Sequence, residues 1–325
     1  SGSQTVLGKH LLQLTGSFGK DFTPLAQWIY NYVYDGTTPI NIWLEYEKEP
    51  SCQLQLRIQF FQSGAIGDLV KEIIYSEDDL KEPILLDEFE RYYLAFCLEA
   101  KGEGELKIGA LHKRYSHGPF GEMTVGAQTL RDSKRQEIFA YFHPGDMKPP
   151  LNIYFSGYRP AEGFEGFVMM RRMGSPFILF SDPRLEGGSF YMGSQELEDQ
   201  IVAYIDQYLD WLGFGPKEMN FSGLSMGTFG ALYYGSSYSP HAILVGKPIV
   251  NLGDVAANLK FKRPDEFGTS LDMMQLLVGQ VSREGIDLLN QRFWDRFNQA
   301  DLKDTILAMA YMRDDDYDQQ AYPDI

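Results

Sequence analysis

The sequence predicts an α/β domain built on a parallel sheet, preceded by a domain of antiparallel β-sandwich or jelly-roll type. Three features point there. Residues from about 4 to 145 alternate apolar and polar side chains in short runs, the period of half-buried strands. From about 150 onward, apolar runs alternate with segments of helical period, the pattern of a parallel sheet covered by helices. Between one such run and a small-residue helical pattern sits Gly223-Leu224-Ser225-Met226-Gly227, the layout of a serine on a sharp strand-to-helix turn.

In chain order, Ile40 to Tyr46 and Cys52 to Phe60 alternate, and Leu69 to Tyr75, Arg91 to Leu98 and Glu105 to Leu111 read as further strands between Gly, Pro and Asp clusters. Aromatic residues in this part (Trp28, Tyr30, Tyr32, Tyr34, Trp43) are expected in the core, with stacking on a glycan as the alternative. The run from His143 to Pro150 is rich in Pro and Gly and marks a boundary, dividing the chain into residues 1–145 and 146–325. Leu151 to Phe155 and Phe177 to Phe180 then read as buried strands. Ser194 to Leu212 carries one apolar helical face, with Gly213 placed to stop it. Ala242 to Val245 and Thr305 to Tyr311 complete the predicted strands, with helical material between them through about Ala300.

Composition narrows the function. The net charge of −16, from 45 acidic and 29 basic residues, argues against a nucleic-acid backbone as partner. No stretch approaches the length of a membrane-spanning helix. The two cysteines, Cys52 and Cys97, support neither a disulfide framework nor a zinc site and are expected as buried free thiols. Ser1-Gly2-Ser3 reads as an added scar, so the natural N-terminus is expected to lie outside this sequence.

In an open α/β sheet, reactive groups gather beyond the carboxyl ends of the strands. Ser225 follows its strand, as a nucleophile must. Gly223 and Gly227 give the turn room, and the next helix directs free N–H groups and its positive dipole end to the same place. Asp314, Asp315, Asp316 and Asp318 follow the strand at 305–311, in the Ser…Asp order of α/β-hydrolases. Asp315 is the first choice for the orienting acid and Asp314 the second. Asp316 and Asp318 read as loop caps or solvated charges. Oxyanion donors are expected from Met226 and from Ser156 or Gly157. Tyr158 and Arg159 in that loop, and Arg184 and Glu186 after the next strand, are substrate-binding candidates; a salt-bridged loop is the alternative for the latter pair.

No histidine fits the base. His10, His112 and His117 precede the boundary, and His143 and His241 precede strands, at the wrong edge of the sheet. An α/β-hydrolase-like fold calls for one more strand, a histidine loop and a closing helix, so the natural protein is expected to continue beyond Ile325.

Residues from about 110 to the end resemble the accessory secretory proteins of the accessory Sec system of Gram-positive bacteria, specifically the acetyltransferase-like second of three. The runs carrying the resemblance are Pro149 to Arg159, Asp182 to Gly188 and Gly223 to Gly235. It implies a cytoplasmic protein, peripheral at the inner face of the membrane, that O-acetylates N-acetylglucosamine on serine-rich-repeat adhesins. It also implies hand-over of those glycoproteins to the translocase motor ATPase beside two sister accessory proteins. The family's serine maps onto Ser225, and its acid falls in Asp314 to Asp316. The acetyl donor stays open, acetyl-CoA among the choices, and no bound cofactor is expected. A carbohydrate acetyl esterase and a non-catalytic export scaffold are the competing readings.

Overall fold

The computed structural model describes residues 2–28, 32–62, 64, 68–262, 267–315 and 317–325, with backbone alone at 259–262. Tyr30 and Asp316 lie outside the described residues. The chain divides into two compact units, Ser1–Val125 and Gly126–Ile325.

The described residues of the first unit form an antiparallel sheet of eight strands: β1 (Ser3–Leu7), β2 (Leu11–Gln27), β3 (Tyr32–Tyr34), β4 (Ile40–Lys48), β5 (Cys52–Gln62), β6 (Leu69–Ser76), β7 (Ile84–Leu86) and β8 (Tyr92–Tyr115). The two strands expected at 91–98 and 105–111 are the single β8. Gly102 (φ 92°) and Gly104 (φ 126°) bend it without ending it, a conformation glycine adopts at little cost. β3 and β2 pair along one edge of β8, and β5 and β4 along the other. Hydrogen bonding thus links every strand through β8, where the sequence suggested two stacked sheets. The core gathers Leu56, Ile58, Phe60, Leu94, Phe96 and Leu98. Tyr34 and Trp43 are fully buried, and Trp28 and Tyr32 pack against the core, in keeping with a structural role for these aromatics. Cys52 is buried and free; Cys97 is free and only half-buried.

The second unit holds a seven-stranded sheet in the order β15-β14-β13-β11-β12-β10-β9. Its strands are β9 (Ala127–Arg131), β10 (Glu137–His143), β11 (Leu151–Phe155), β12 (Phe177–Ser181), β13 (Met219–Leu224), β14 (Ala242–Gly246) and β15 (Ile306–Ala310). β11 to β15 run parallel, while β10 lies antiparallel to β12 and β9 antiparallel to β10. The unit therefore begins at 126, about 20 residues before the expected boundary. The physical reason is that β10 pairs with β12 from Phe139↔Ser181 to His143↔Phe177, so the Pro/Gly-rich stretch joins two strands of one sheet.

Among the described residues, seven α-helices complete the unit: α1 (Phe167–Met173), α2 (Gln195–Leu212), α3 (Met226–Gly235), α4 (Leu252–Lys262), α5 (Ser270–Val278), α6 (Arg283–Phe297) and α7 (Ala321–Asp324). α2 forms as its sequence predicts. The Ser194 hydroxyl accepts from the Leu197 N–H at 3.2 Å, and Gly213 closes the helix in the left-handed region at φ 72°. Leu197, Ile201 and Ile205 on its inner face are fully buried in the same core as Ile153, Phe155 and Phe221. α3 is buried along its whole length, which explains its lack of a polar face. The chain runs from β11 outward to β12, then returns to place β13 on the other side of β11. That reversal makes a crevice at the carboxyl ends of β11 and β13, where open α/β sheets bind ligands.

Candidate active site

The crevice is occupied by the elbow. Ser225 joins β13 directly to α3 with φ 53° and ψ −119°, a backbone conformation that a residue with a side chain adopts only under constraint. The constraints are visible. A Cβ on Gly223 would collide with the Gly227 carbonyl, and one on Gly227 with the Phe155 carbonyl. The Ser225 N–H donates to the Gly246 carbonyl at 2.8 Å. The Thr228 hydroxyl donates to the Ser225 carbonyl at 2.6 Å and accepts from the Ile249 N–H at 3.0 Å. The turn is thereby fastened to the loop after β14.

A cavity of about 360 Å³ opens at Ser225. Each loop at the carboxyl edge contributes to it: Tyr158 after β11, Glu186, Gly187 and Phe190 after β12, Ser225 and Met226 at the elbow, Lys247 and Ile249 after β14, and Tyr317 after β15, with Phe267 beside them. Met226 opens α3, so its N–H belongs to the first turn that has no helical acceptor. Lys247 and Glu186 are the charged residues of the lining among the described residues. The Lys247 backbone is left-handed at φ 60°, its ammonium lies 4.0 Å above the Tyr317 ring, and it stands 3.9 Å from Asp315 Oδ2.

The predicted site residues sort into two groups. Ser225, Met226, Tyr158 and Glu186 line the cavity. Asp315 adjoins it through Lys247 and accepts from the Tyr317 N–H at 2.8 Å, whereas Asp314 is exposed. Asp318 caps a loop, accepting from the N–H groups of Val250 and Asn251 at 2.8 Å each. Arg184 does not face a substrate. It is 1% exposed and grips Asp182 through Nε at 2.9 Å and Nη2 at 2.7 Å, because Asp182 also accepts from the N–H groups of Ser189 and Tyr191 and so ties down the loop between them. Arg159 is outside the lining and donates to the Phe164 carbonyl at 3.1 Å. Ser156 and Gly157 are corrected as oxyanion donors. The Ser156 N–H is held by the Phe180 carbonyl at 3.0 Å, and the Gly157 N–H by Glu165 Oε2 at 2.7 Å.

The five histidines lie elsewhere. His10 and His112 bond to Glu45 in the first unit, the His117 N–H donates to the Gly121 carbonyl, His143 stacks on Phe177, and His241 is exposed ahead of β14. No group of three or more His, Cys, Asp or Glu fit to hold a metal occurs among the described residues. No helix among them is long and apolar enough to cross a membrane. Lys247 and Tyr317 are among the site residues that the sequence did not single out, with the apolar Phe190, Ile249 and Phe267. The rule that selected Ser225 also covered Lys247, two residues past a predicted strand, but no charge pattern around it stood out.

A parallel α/β sheet with a constrained serine elbow at its switch point defines the class: an α/β protein of nucleophile-elbow type. Its sequence matches the profile of the accessory Sec system GspB-transporter family over residues 1–325, and the chain belongs to that family. The match includes the first unit, more than the stretch from residue 110 that carried the resemblance. An accessory Sec system protein of Streptococcus gordonii is 49% identical over 318 residues, 98% of this chain and 62% of the relative. One from Staphylococcus aureus (strain NCTC 8325 / PS 47) is 46% identical, covering 100% of this chain and 62% of the relative. The chain thus spans under two thirds of the length of the curated relatives it matches. Among solved structures, the Glycosylation Associate Protein (Gap123) complex from Streptococcus agalactiae superposes with a TM-score of 0.96 at 41% identity, covering 100% of this chain and 63% of that one.

Proposed function

We propose that the full-length protein is a serine acetyltransferase of α/β-hydrolase-like fold that acetylates N-acetylglucosamine on serine-rich-repeat adhesins and supports their export through the accessory Sec system. The observation that carries this reading is the Ser225 backbone at φ 53°, in the lining of a cavity built from the carboxyl-edge loops. The Ser225 hydroxyl attacks the acetyl carbonyl, its proton passes to a base, and the donor leaves. The acetyl-serine is then attacked by a sugar hydroxyl, which splits one hard step into two. The N–H of Met226 takes the developing oxyanion, and Tyr158, whose own N–H comes after the two that are engaged, offers the second donor. Asp315 is the orienting acid. The base is a histidine in the part of the relatives' length that this chain does not span. Tyr158 and Glu186 hold the sugar, with ring stacking from the one and hydroxyl bonding from the other. Acetyl-CoA is the donor to try first.

The test compares full-length wild type with Ser225→Ala on an acetyl ester, with and without an N-acetylglucosamine acceptor. Loss of turnover in the variant supports the nucleophile. Equal turnover removes it, and hydrolysis unaffected by the sugar makes the protein an esterase.

A second role is favoured by the first unit, which has a sheet and core of its own. The Streptococcus agalactiae relative was solved as a complex. We take the chain to assemble with its two sister accessory proteins and the motor ATPase, peripherally at the cytoplasmic face of the membrane. Adhesin export that continues normally with Ser225→Ala separates this role from the chemistry.

A further inference from the structure

The loop after β11 carries a carboxylate that neither the motif nor the cavity lining accounts for. Glu165 Oε2 accepts from the Gly157 N–H at 2.7 Å and from the Tyr154 hydroxyl at 3.0 Å. Its own N–H donates to the Ser156 hydroxyl oxygen at 3.0 Å. The loop closes on itself around this residue. It is also tied down from outside, by the Ser181 hydroxyl on the Gly163 carbonyl at 2.7 Å and the Tyr191 hydroxyl on the Ser156 carbonyl at 2.6 Å.

The clamp sits against the nucleophile. A Cβ on Gly157 would come within 3.0 Å of the carbonyl oxygen of Leu224, the residue before Ser225, and within 3.2 Å of Glu165 Oε2. A carboxylate that accepts two hydrogen bonds gives a stronger and more directional hold than neutral acceptors. Burial, and then the negative charge of Glu165, push the Tyr154 phenol well above its ordinary range, so that hydroxyl stays a donor.

We propose that Glu165 is the positioning residue of the oxyanion site. By engaging the Gly157 N–H it fixes the Ser156–Gly157 peptide, immediately ahead of the one that carries the Tyr158 N–H, and so sets where that N–H points relative to Ser225 and Met226. Glu165 touches no reacting atom, and its effect runs through the Ser156–Tyr158 turn. The assignment rests on the acyl-transfer reading.

Three variants of the full-length protein test it, with Ser225→Ala as control and an acetyl ester as substrate. Misplacing a catalytic group by an ångström costs on the order of a hundredfold in rate, so Glu165→Ala is expected to lower kcat by about ten- to a hundredfold with KM nearly unchanged. Glu165→Gln keeps an acceptor oxygen for both donors and is expected to restore most of kcat. Tyr154→Phe preserves shape, frees the carboxylate on one side, and is expected to lower kcat a few-fold; it decides the matter if Glu165→Ala does not fold. Hydrogen exchange at the Gly157 amide is expected to speed up in Glu165→Ala and not in Glu165→Gln. Wild-type kcat in both Glu165→Ala and Tyr154→Phe, while Ser225→Ala is inactive, overturns the Glu165 assignment alone. Turnover retained by Ser225→Ala overturns the assignment together with the reading beneath it.

Discussion

Lys247 and Asp315 meet at the rim of the cavity, the ammonium 3.9 Å from Oδ2 of the carboxylate. The lysine is held from behind by its own backbone, since its N–H donates to the Ala310 carbonyl at 2.7 Å, and from below by the Tyr317 ring. One short segment therefore links the elbow, through Gly246, to the acid loop after β15. At this separation and partial exposure, the ion pair contributes at most about 1 kcal/mol to stability.

The first prediction rests on that small figure. Lys247→Met is expected to leave stability within about 1 kcal/mol of wild type, yet to reduce kcat of the full-length protein by about ten- to a hundredfold, because a positive charge lining the same cavity as Ser225 favours the developing oxyanion. Denaturant titration and ester turnover, measured on one preparation, check both halves. A variant that melts early but turns over normally would assign Lys247 to the fold.

The second prediction concerns Asp182 and Arg184, 0% and 1% exposed at their side chains. Removing one partner of a buried ion pair leaves an uncompensated charge and typically costs about 3–5 kcal/mol. Arg184→Met is expected to destabilise the protein by roughly that amount. The double change Asp182→Asn with Arg184→Met is expected to cost less than the sum of the single ones. Strict additivity of the three denaturation midpoints would mean that the pair does not act as a unit. The loop between Asp182 and Tyr191 supplies Glu186 and Phe190 to the cavity, so turnover should fall with stability in the single variants.

Periodicity made β4, β5, β11 to β15 and α2 legible in the sequence, and the glycines at 223 and 227 marked the elbow. Three things escaped for physical reasons. β8 spans two apparent strands, because Gly102 and Gly104 can either turn a chain or merely bend it, and the choice is made by partners along its edges. The start of the second unit was misplaced, since β9 and β10 follow the strands of the first unit with no α-helix between them, yet β9 pairs with β10 and β10 with β12 of the second sheet. The roles of Arg184 and Glu165 depend on where a side chain ends rather than on where it begins. A βα loop rich in charge reads equally well as a substrate contact or as an internal clamp, and only the distances to Asp182 and Gly157 separate the two.

The last prediction lies in the first unit, at Glu45. Burial by itself would push this carboxyl up, but hydrogen bonds and charge from His10 and His112, at 2.9 and 2.8 Å, outweigh it and hold the group well below the ordinary carboxylate range. A carboxyl depressed in the folded state contributes stability that is fully present above its unfolded value of about 4.3 and is lost as pH falls through the folded value. Wild type is therefore expected to lose stability progressively below about pH 4.3, and Glu45→Gln to lose less over the same range. The gap between the two is expected to be widest near neutral pH and to narrow on acidification. Denaturant titrations of both proteins from pH 7 to pH 3 measure that gap directly. A gap that stays constant across the range would mean the two imidazoles pack against residue 45 without holding its charge, and that the cluster stabilises the sheet through shape alone.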